Sequence, residues 1–384
     1  LDTNQFGQKI AFLSTYPPKQ CGLATFAVDL RACVPGDHGV IAVDDAAREY
    51  PPEVGFVIDK FEPSSYREAA IYAGEYFDVV SLQHEYGIFG GPDGEYILDF
   101  LGELSVPAVL TCHTVLLEPS ENQRRVLSEI CRLCDMVMVM SDRASEILES
   151  VYGVPYRKIV VIPHGVPDSD GVSPAVEMTV QGTGPKLLTF GLLSPGKGIE
   201  TAIDAVGRLK KNYPAIRYFV LGATHPELKR REGEAYRDSL LAQVSRLGLD
   251  ENVVFVDEFV DLDRLCSFLA GADIYVTPYL GKEQIVSGTL SYAVSFGLPI
   301  VSTPFTYAEE LADKDAAVLF PFRDDERLAG LVDRLLSDFM FRGRLRTTTA
   351  TLGRTMRWPV VGQRLASCFE SVCALRSTSF ASVR

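Results

Sequence analysis

The chain has 384 residues, 47% of them apolar and 23% charged, which fits a globular protein and is too long for one comfortable core. Its formal net charge of −14 argues against nucleic acid or an anionic membrane as the main partner. No apolar run reaches the roughly 18 residues needed to cross a bilayer, and no charged-then-apolar start marks a signal peptide.

In chain order, the first half offers apolar β-like runs: KIAFLST, HGVIAV, VGFVI, FDVVSLQ, PAVLTC, MVMVMS and KIVVIP. Between them, stretches such as REAAIYAGEYF and ENQRRVLSEICRLC carry apolar residues at helical spacing. Near-continuous apolar strands alternating with helices predict a parallel sheet covered on both faces. The eight cysteines lie scattered in apolar context and read as reduced thiols of a cytoplasmic protein. Cys131 and Cys134 form a CxxC inside a helical pattern without a second pair, which argues against a zinc or redox role.

A polar stretch rich in Gly, Ser and Pro follows, DSDGVSPAVEMTVQGTGP, and reads as a linker. The alternation then restarts with KLLTFGL, IRYFVLGA, NVVFVDEF, DIYVTPY, PIVSTPF and AAVLFPF. The chain therefore reads as two doubly wound α/β domains in tandem, over 1–168 and 186–355. Residues 169–185 are the linker between them, and a terminal helix over 356–384 crosses back to the first domain. The stretch FRGRLRTTTATLGRTMR, Phe341 to Arg357, holds five arginines and no acid. It reads first as a solvated helix face, and second as a patch contacting phosphate or lipid.

Ligands of such sheets bind beyond the carboxyl ends of the strands, so a cleft between two facing domains is the expected site. In the first half those ends present Tyr16 with the CGLATF loop, His84-Glu85-Tyr86, His113-Thr114, Ser141-Asp142-Arg143 and His164-Gly165. In the second half they present GLLSPGKG, GATHP with His225, Asp257-Glu258-Phe259, Pro278-Tyr279 and Thr303-Pro304-Phe305. Four of the five histidines thus fall on one expected rim. In GLLSPGKG a Gly-bearing turn with Lys197 could neutralise a phosphate, with the backbone of Ser194 and Gly196 close by; an exposed turn lysine is the other reading. In EQIVSGTLSYA, Ser287, Gly288 and Thr289 open a helix, where they either cap it or hold an anion at its N-terminus. Neither GxxxxGK[ST] nor GxGxxG is present, which disfavours a Walker ATPase and a dinucleotide-binding oxidoreductase.

Seven pieces in order resemble the retaining GT-B glycosyltransferases of family 4: CGLATF, TCHT, IPHGV, GLLSPGKG, ADIYVTP, GLPIVSTP and RWPV. Each piece is weak alone, and their order and spacing over nearly the whole chain are specific. The chain departs from the family where Leu192 replaces the arginine of the donor loop. It also departs at the two glutamates spaced E-x7-E, which fall on Gln284 and Tyr292, with Glu283 one residue off. The SGT step has a further echo in phosphorylase-like GT-B enzymes, where a Glu-x-Ser-Gly-Thr lies against sugar and phosphate, and this shifts the reading from capping toward ligand contact.

The resemblance implies two Rossmann-like domains facing a central cleft. It also implies transfer of a hexose of the mannose or glucose class from a nucleotide sugar to a carbohydrate or related acceptor. The chemistry would be same-face displacement without metal or other cofactor, in which the leaving phosphate helps deprotonate the acceptor. His113, Lys197 and Glu283 are the implied catalytic set. Gly22, Ser194, Gly196, Phe259, Gln284, Ser287, Gly288, Thr289 and Tyr292 would join Lys197 around the donor. Tyr16, His84, Glu85, Arg143 and His225 would form the acceptor-side rim. Peripheral membrane contact has no support beyond the arginine-rich stretch. Two other functions fit the departures: a phosphorylase or sugar-phosphate-using transferase, and a non-catalytic sugar- or nucleotide-binding protein.

Overall fold

The structure, a computed structural model, describes residues 7–19, 21–180 and 182–381. It divides into two compact units, one comprising Leu1–Gly165 with Trp358–Arg384 and the other Val166–Arg357.

The first unit is built on seven parallel strands: β1 (Lys9–Ser14), β2 (Asp37–Asp44), β3 (Val54–Asp59), β4 (Val79–His84), β5 (Ala108–Cys112), β6 (Met136–Val139) and β7 (Ile159–Val161). Their order is β3-β2-β1-β4-β5-β6-β7, so the winding reverses between β1 and β4. The central strands β4 and β5 are buried at every residue, as their unbroken apolar runs require when helices cover both faces. The Glu121–Leu133 helix starts on a capping box, in which Ser120 and Gln123 each satisfy the other's backbone N–H. The Trp358–Ala381 helix is counted with this unit. A Cβ on its Gly362 would lie 2.1 Å from the Cys33 carbonyl oxygen, so glycine allows this helix to touch the end of the Gly22–Cys33 helix.

The second unit has six parallel strands: β8 (Lys186–Phe190), β9 (Arg217–Leu221), β10 (Val253–Val256), β11 (Ile274–Thr277), β12 (Ile300–Ser302) and β13 (Ala317–Leu319). Their order β10-β9-β8-β11-β12-β13 is the doubly wound arrangement that reverses between β8 and β11. All thirteen strands fall on the apolar runs read from the sequence.

The boundary differs from the sequence reading. Residues 169–180 and 182–185 do not stand apart as a linker; they pack on the second unit. Ser169 Oγ donates to the Ser295 carbonyl at 2.9 Å, Ala175 N donates to Ser267 O at 2.9 Å, and Met178 is buried in the second unit's core. Arg357 pairs with Asp168 at 3.0 Å and Asp170 at 2.8 Å. The polar composition that suggested a linker is instead satisfied by hydrogen bonds to that unit, and the chain passes between units at Gly165/Val166 and Arg357/Trp358. Among the described residues no helix is long and apolar enough to cross a membrane.

Candidate active site

In the second unit the site begins where β8 ends. Gly191 turns the chain at φ 128°, and Gly198 closes the following turn at φ 59°. A Cβ on Gly198 would lie 2.2 Å from the Pro278 carbonyl oxygen, so only glycine lets the turn rest on the segment after β11. Leu280 N donates to Gly196 O at 2.9 Å and fixes that contact. Lys197 therefore lies with its ammonium 3.7 Å from the centroid of the Tyr279 ring, a cation–π contact. Tyr279 is buried, and its hydroxyl lies 3.1 Å from Thr289 Oγ1, which is itself 3.1 Å from Ser287 Oγ.

Ser287 accepts from Leu290 N at 3.3 Å and so caps the Gly288–Ser295 helix. Capping and anion binding are compatible here. The cap uses one N–H, whereas the first N–H groups of any helix lack intrahelical partners and carry its positive dipole end. Lys197, Tyr279, Thr289 and Ser287 thus form one connected cluster, with a fixed cation at one end and a helix N-terminus at the other. Tyr279 is the member to which sequence reasoning assigned no role; its place in a strand-end dipeptide was the available signal.

The remaining second-unit candidates lie otherwise. Ser194 and Gly196 belong to the turn, the Ser194 carbonyl accepting from Lys197 N at 2.9 Å. Glu283 is exposed on the loop before the helix. Gln284 turns its amide to the Val286 carbonyl at 3.0 Å. Tyr292 is half-buried against the core, its ring 6.2 Å from that of Phe190. Phe259 is 79% exposed. His225 is exposed and caps the Pro226–Glu232 helix, accepting from Glu227 N at 3.3 Å. Sequence reasoning missed Arg237, a buried arginine that donates to the Gly222 carbonyl at 2.8 Å and pairs with Asp257 at 2.6 Å. It thereby ties together the loops after β9 and β10; apart from Glu234, three residues before it, its partners lie well away in sequence, so no local spacing signals that role.

In the first unit Gly22 opens the helix after β1, with Cys21 as its N-cap. A Cβ on Gly22 would meet nothing within 4 Å, so its backbone borders open space. His113 follows β5; its N donates to His84 O at 3.0 Å and its Nε2 lies 2.9 Å from Gln83 Oε1. Gln83 donates its amide to Ser81 Oγ at 3.2 Å, which leaves Oε1 to accept from His113 Nε2–H. Nδ1 then carries the imidazole's lone pair. Burial, with His164 and His84 adding to it, pushes His113 down to about 3, so the ring is neutral at ordinary pH. Phe26 gathers this region, its ring 4.7 Å from His113, 5.1 Å from His164 and 5.4 Å from Trp358. A Cβ on Gly165 would sit 2.0 Å from the Trp358 ring, which explains the glycine of IPHGV and the aromatic of RWPV together.

Two expected rim residues lie in the core. Tyr16 is 2% exposed and donates to Glu53 at 3.3 Å; His84 is wholly buried, with neither ring nitrogen hydrogen-bonded. Both sit in the buried continuation of a strand, so their side chains point under the sheet's end and not off it. Burial pushes His84 down to about 4. Glu85 is half-buried, accepts from Thr114 Oγ1 and Tyr86 N, and is raised by burial. Arg143 is exposed and pairs with Glu146 at 2.8 Å within its own helix. Among the described residues no group of three or more His, Cys, Asp or Glu could hold a metal ion.

Residues 38–170 match the family model described as Glycosyltransferase Family 4, and residues 184–338 match that of Glycosyl transferases group 1. Mannosylfructose-phosphate synthase of Agrobacterium fabrum is 27% identical over 229 residues, covering 54% of this chain and 49% of its own. The chain spans about half the length of the curated relatives it matches. Among solved structures, Anabaena Alr3699/HepE in complex with UDP superposes with a TM-score of 0.75 at 18% identity, over 94% of this chain and 100% of that one. Sucrose-phosphate synthase from Thermosynechococcus elongatus gives 0.73 at 17% identity, over 96% and 100%. With two family models matching successive stretches in the expected order and the GT-B fold matched over 94% of the chain, the chain belongs to the GT-B glycosyltransferases of group 1 and family 4.

Proposed function

We propose that the protein is a retaining hexosyltransferase that moves a mannose- or glucose-class sugar from a nucleotide sugar to a carbohydrate or related acceptor, without a metal. The cluster of Lys197, Tyr279, Thr289 and Ser287 carries this reading. A held ammonium and a helix N-terminus together suit a leaving diphosphate, whose negative charge grows as the glycosidic bond breaks. In the first unit, neutral His113 offers Nδ1 as acceptor to a hexose hydroxyl, and Gly22 offers open backbone to the donor. Glu283 is left to meet sugar hydroxyls from its exposed loop. Same-face displacement then asks of the protein only alignment and charge stabilisation. The Anabaena neighbour has been solved with UDP and with UDP-glucose, which supports a nucleotide-sugar donor.

A panel of nucleotide sugars in a thermal-shift screen tests the donor class, because a ligand that binds only the native state raises its stability. Transfer from the stabilising sugar should persist in chelator, and nuclear magnetic resonance of the product should show a retained anomer. If no nucleotide sugar stabilises the protein, the reading fails.

One observation favours a second reading, a phosphorylase or sugar-phosphate-using transferase. At the positions of the family's two glutamates, Gln284 turns its amide onto Val286 and Tyr292 packs toward Phe190, so neither supplies a carboxylate for a ribose. Phosphate-dependent turnover without nucleoside diphosphate binding would establish that alternative.

A further inference from the structure

Between the Pro226–Glu232 and Ala235–Arg246 helices of the second unit, Gly233 reverses the chain at φ 65° and brings Glu234 and Arg237 to the start of the second helix. Arg237 is 5% exposed. Its Nη2 donates to the Gly222 carbonyl at 2.8 Å and lies 2.6 Å from Asp257 Oδ1, so both protons of that nitrogen are committed. Its Nε lies 3.6 Å from Glu234 Oε2. The same Glu234 carboxylate accepts from Thr224 Oγ1 and pairs with Lys229 at 2.7 Å. Gly222 and Thr224, the two residues so held, belong to the loop after β9, and the segment leading into the Lys197 turn is built on that loop. Gly191 N donates to Leu221 O and Leu193 N to Ala223 O, each at 2.9 Å, and His225 N donates back to Leu193 O at 3.0 Å. The pairing of β8 with β9 thus runs on past both strands, with Leu193 bridged to Thr224. A Cβ on Gly222 would lie 2.2 Å from the Gly191 carbonyl oxygen, so the two glycines rest directly on each other.

We propose, on the reading that Lys197 faces a leaving phosphate, that Arg237 and Glu234 are positioning residues for that lysine. They fix the loop after β9, and that loop fixes the segment from which the Lys197 turn departs. Stability alone does not call for a guanidinium here, since packed apolar side chains of similar volume often serve as well as a buried ion pair. What an arginine adds is several directed bonds from one rigid plane. Here those bonds join Gly222 to Asp257, while Glu234 takes Thr224. Among the described hydrogen bonds and ion pairs neither residue touches Lys197, so an effect on turnover has to travel through the loop. The far side of the turn is held separately, by Leu280 N donating to Gly196 O at 2.9 Å. Losing Arg237 therefore loosens the turn from one side without freeing it. Such precision matters because a shift of about 1 Å in a charge that meets the transition state can cost roughly a hundredfold in rate.

Arg237→Met removes the directed bonds and keeps much of the volume. Hydrogen exchange on the ligand-free protein reads the loop. Release of nucleoside diphosphate from UDP-glucose, GDP-mannose or ADP-glucose, whichever most stabilises the wild type, reads turnover. In Arg237→Met the amides of Gly191, Leu193 and His225 should exchange roughly tenfold faster, with the strands of the first unit unchanged. Its kcat should fall roughly tenfold at an unchanged KM. The double variant Lys197→Ala/Arg237→Met should be no slower than Lys197→Ala, because the arginine acts through the lysine. Arg237→Lys, able to keep one of the bonds, should recover part of the rate. Thr224→Val removes the Glu234 contact at nearly unchanged shape and should move both readouts the same way by a smaller factor. It decides the matter if Arg237→Met does not fold. A lowered melting temperature with wild-type kcat, unchanged exchange in the loop, or losses that multiply in the double variant would overturn the proposal and leave the role of Lys197 standing. Full turnover by Lys197→Ala, or no stabilising sugar among the three, would overturn the functional reading and this proposal with it.

Discussion

Replacing Lys197 by alanine should remove nearly all turnover and leave the protein folded. The ammonium stands 3.7 Å from the Tyr279 ring, and the same tyrosine reaches Thr289 at the start of the Gly288–Ser295 helix. If the leaving phosphate sits against that helix start, Lys197 meets charge that develops fully only in the transition state. Losing one such preorganised contact costs about 2–4 kcal/mol, or roughly thirtyfold to a thousandfold in kcat. The helix N-terminus remains in the variant, so some residual rate should survive. The stability cost is smaller, because a partly exposed cation–π contact contributes about 0.5–1 kcal/mol. Lys197→Arg should recover part of the rate, since it restores the charge but spreads it over a planar fork that no longer fits a point contact. Steady-state kinetics with the donor found by screening, paired with urea unfolding, measure both quantities. An interaction made only in the transition state lowers kcat and kcat/KM together. A variant that keeps more than half of wild-type kcat, or that loses activity only through a higher KM, refutes the reasoning.

Gly22→Ala should leave stability nearly unchanged, because its new methyl meets no protein atom within 4 Å, yet should raise the donor's KM if backbone there faces the ligand. An unaltered KM removes Gly22 from the site. Tyr292→Phe should leave the donor's KM unchanged, given the ring's packing toward Phe190; a rise of several-fold would restore the ribose contact that the family's pattern implies. His84 predicts acid sensitivity. Its folded pKa is lowered to about 4 from 6.5, so its contribution is complete above pH 6.5 and is lost as pH falls toward 4. Near pH 4.5 that loss is on the order of 2–3 kcal/mol, and urea midpoints against pH should be flatter between pH 6.5 and 4.5 in His84→Phe than in wild type, or the linkage is wrong.

The thirteen strands were legible because buried parallel strands are written as unbroken apolar runs, and KIAFLST or PAVLTC has no other use for such composition. The Lys197 turn and the Ser287 helix start were legible too, since glycine and hydroxyl residues at a strand-to-helix junction have few reasons to be there. What was not legible depends on direction. Tyr16 and His84 stand at strand ends in sequence, yet a strand end offers two faces and these side chains take the buried one. Tyr279 and, apart from its neighbour Glu234, Arg237 act through partners brought near only by the sheet order, so no spacing announces them. The 169–185 stretch misled for a related reason: polar, Gly-rich composition says that backbone groups need partners, and not whether water or Ser267 and Ser295 supply them.

The titration of the two units divides the chemistry between them. Burial holds His84, His113 and His164 neutral at ordinary pH, at about 4, 3 and 4 respectively. His84 is wholly buried, and His113, with its Nε2–H committed to Gln83, can orient a hydroxyl only by accepting at Nδ1. None of them can supply positive charge to a departing phosphate. In the second unit the exposed His225 is spent on a helix cap, and the family's donor-loop arginine is replaced by Leu192. Arg237 is turned inward onto Gly222 and Asp257. Within the described site clusters, this leaves Lys197 as the cation placed against a helix N-terminus. The loss of the arginine therefore concentrates the electrostatic demand of the proposed reaction on one lysine and one helix end, which is why a single substitution at residue 197 is the sharpest test of the whole assignment.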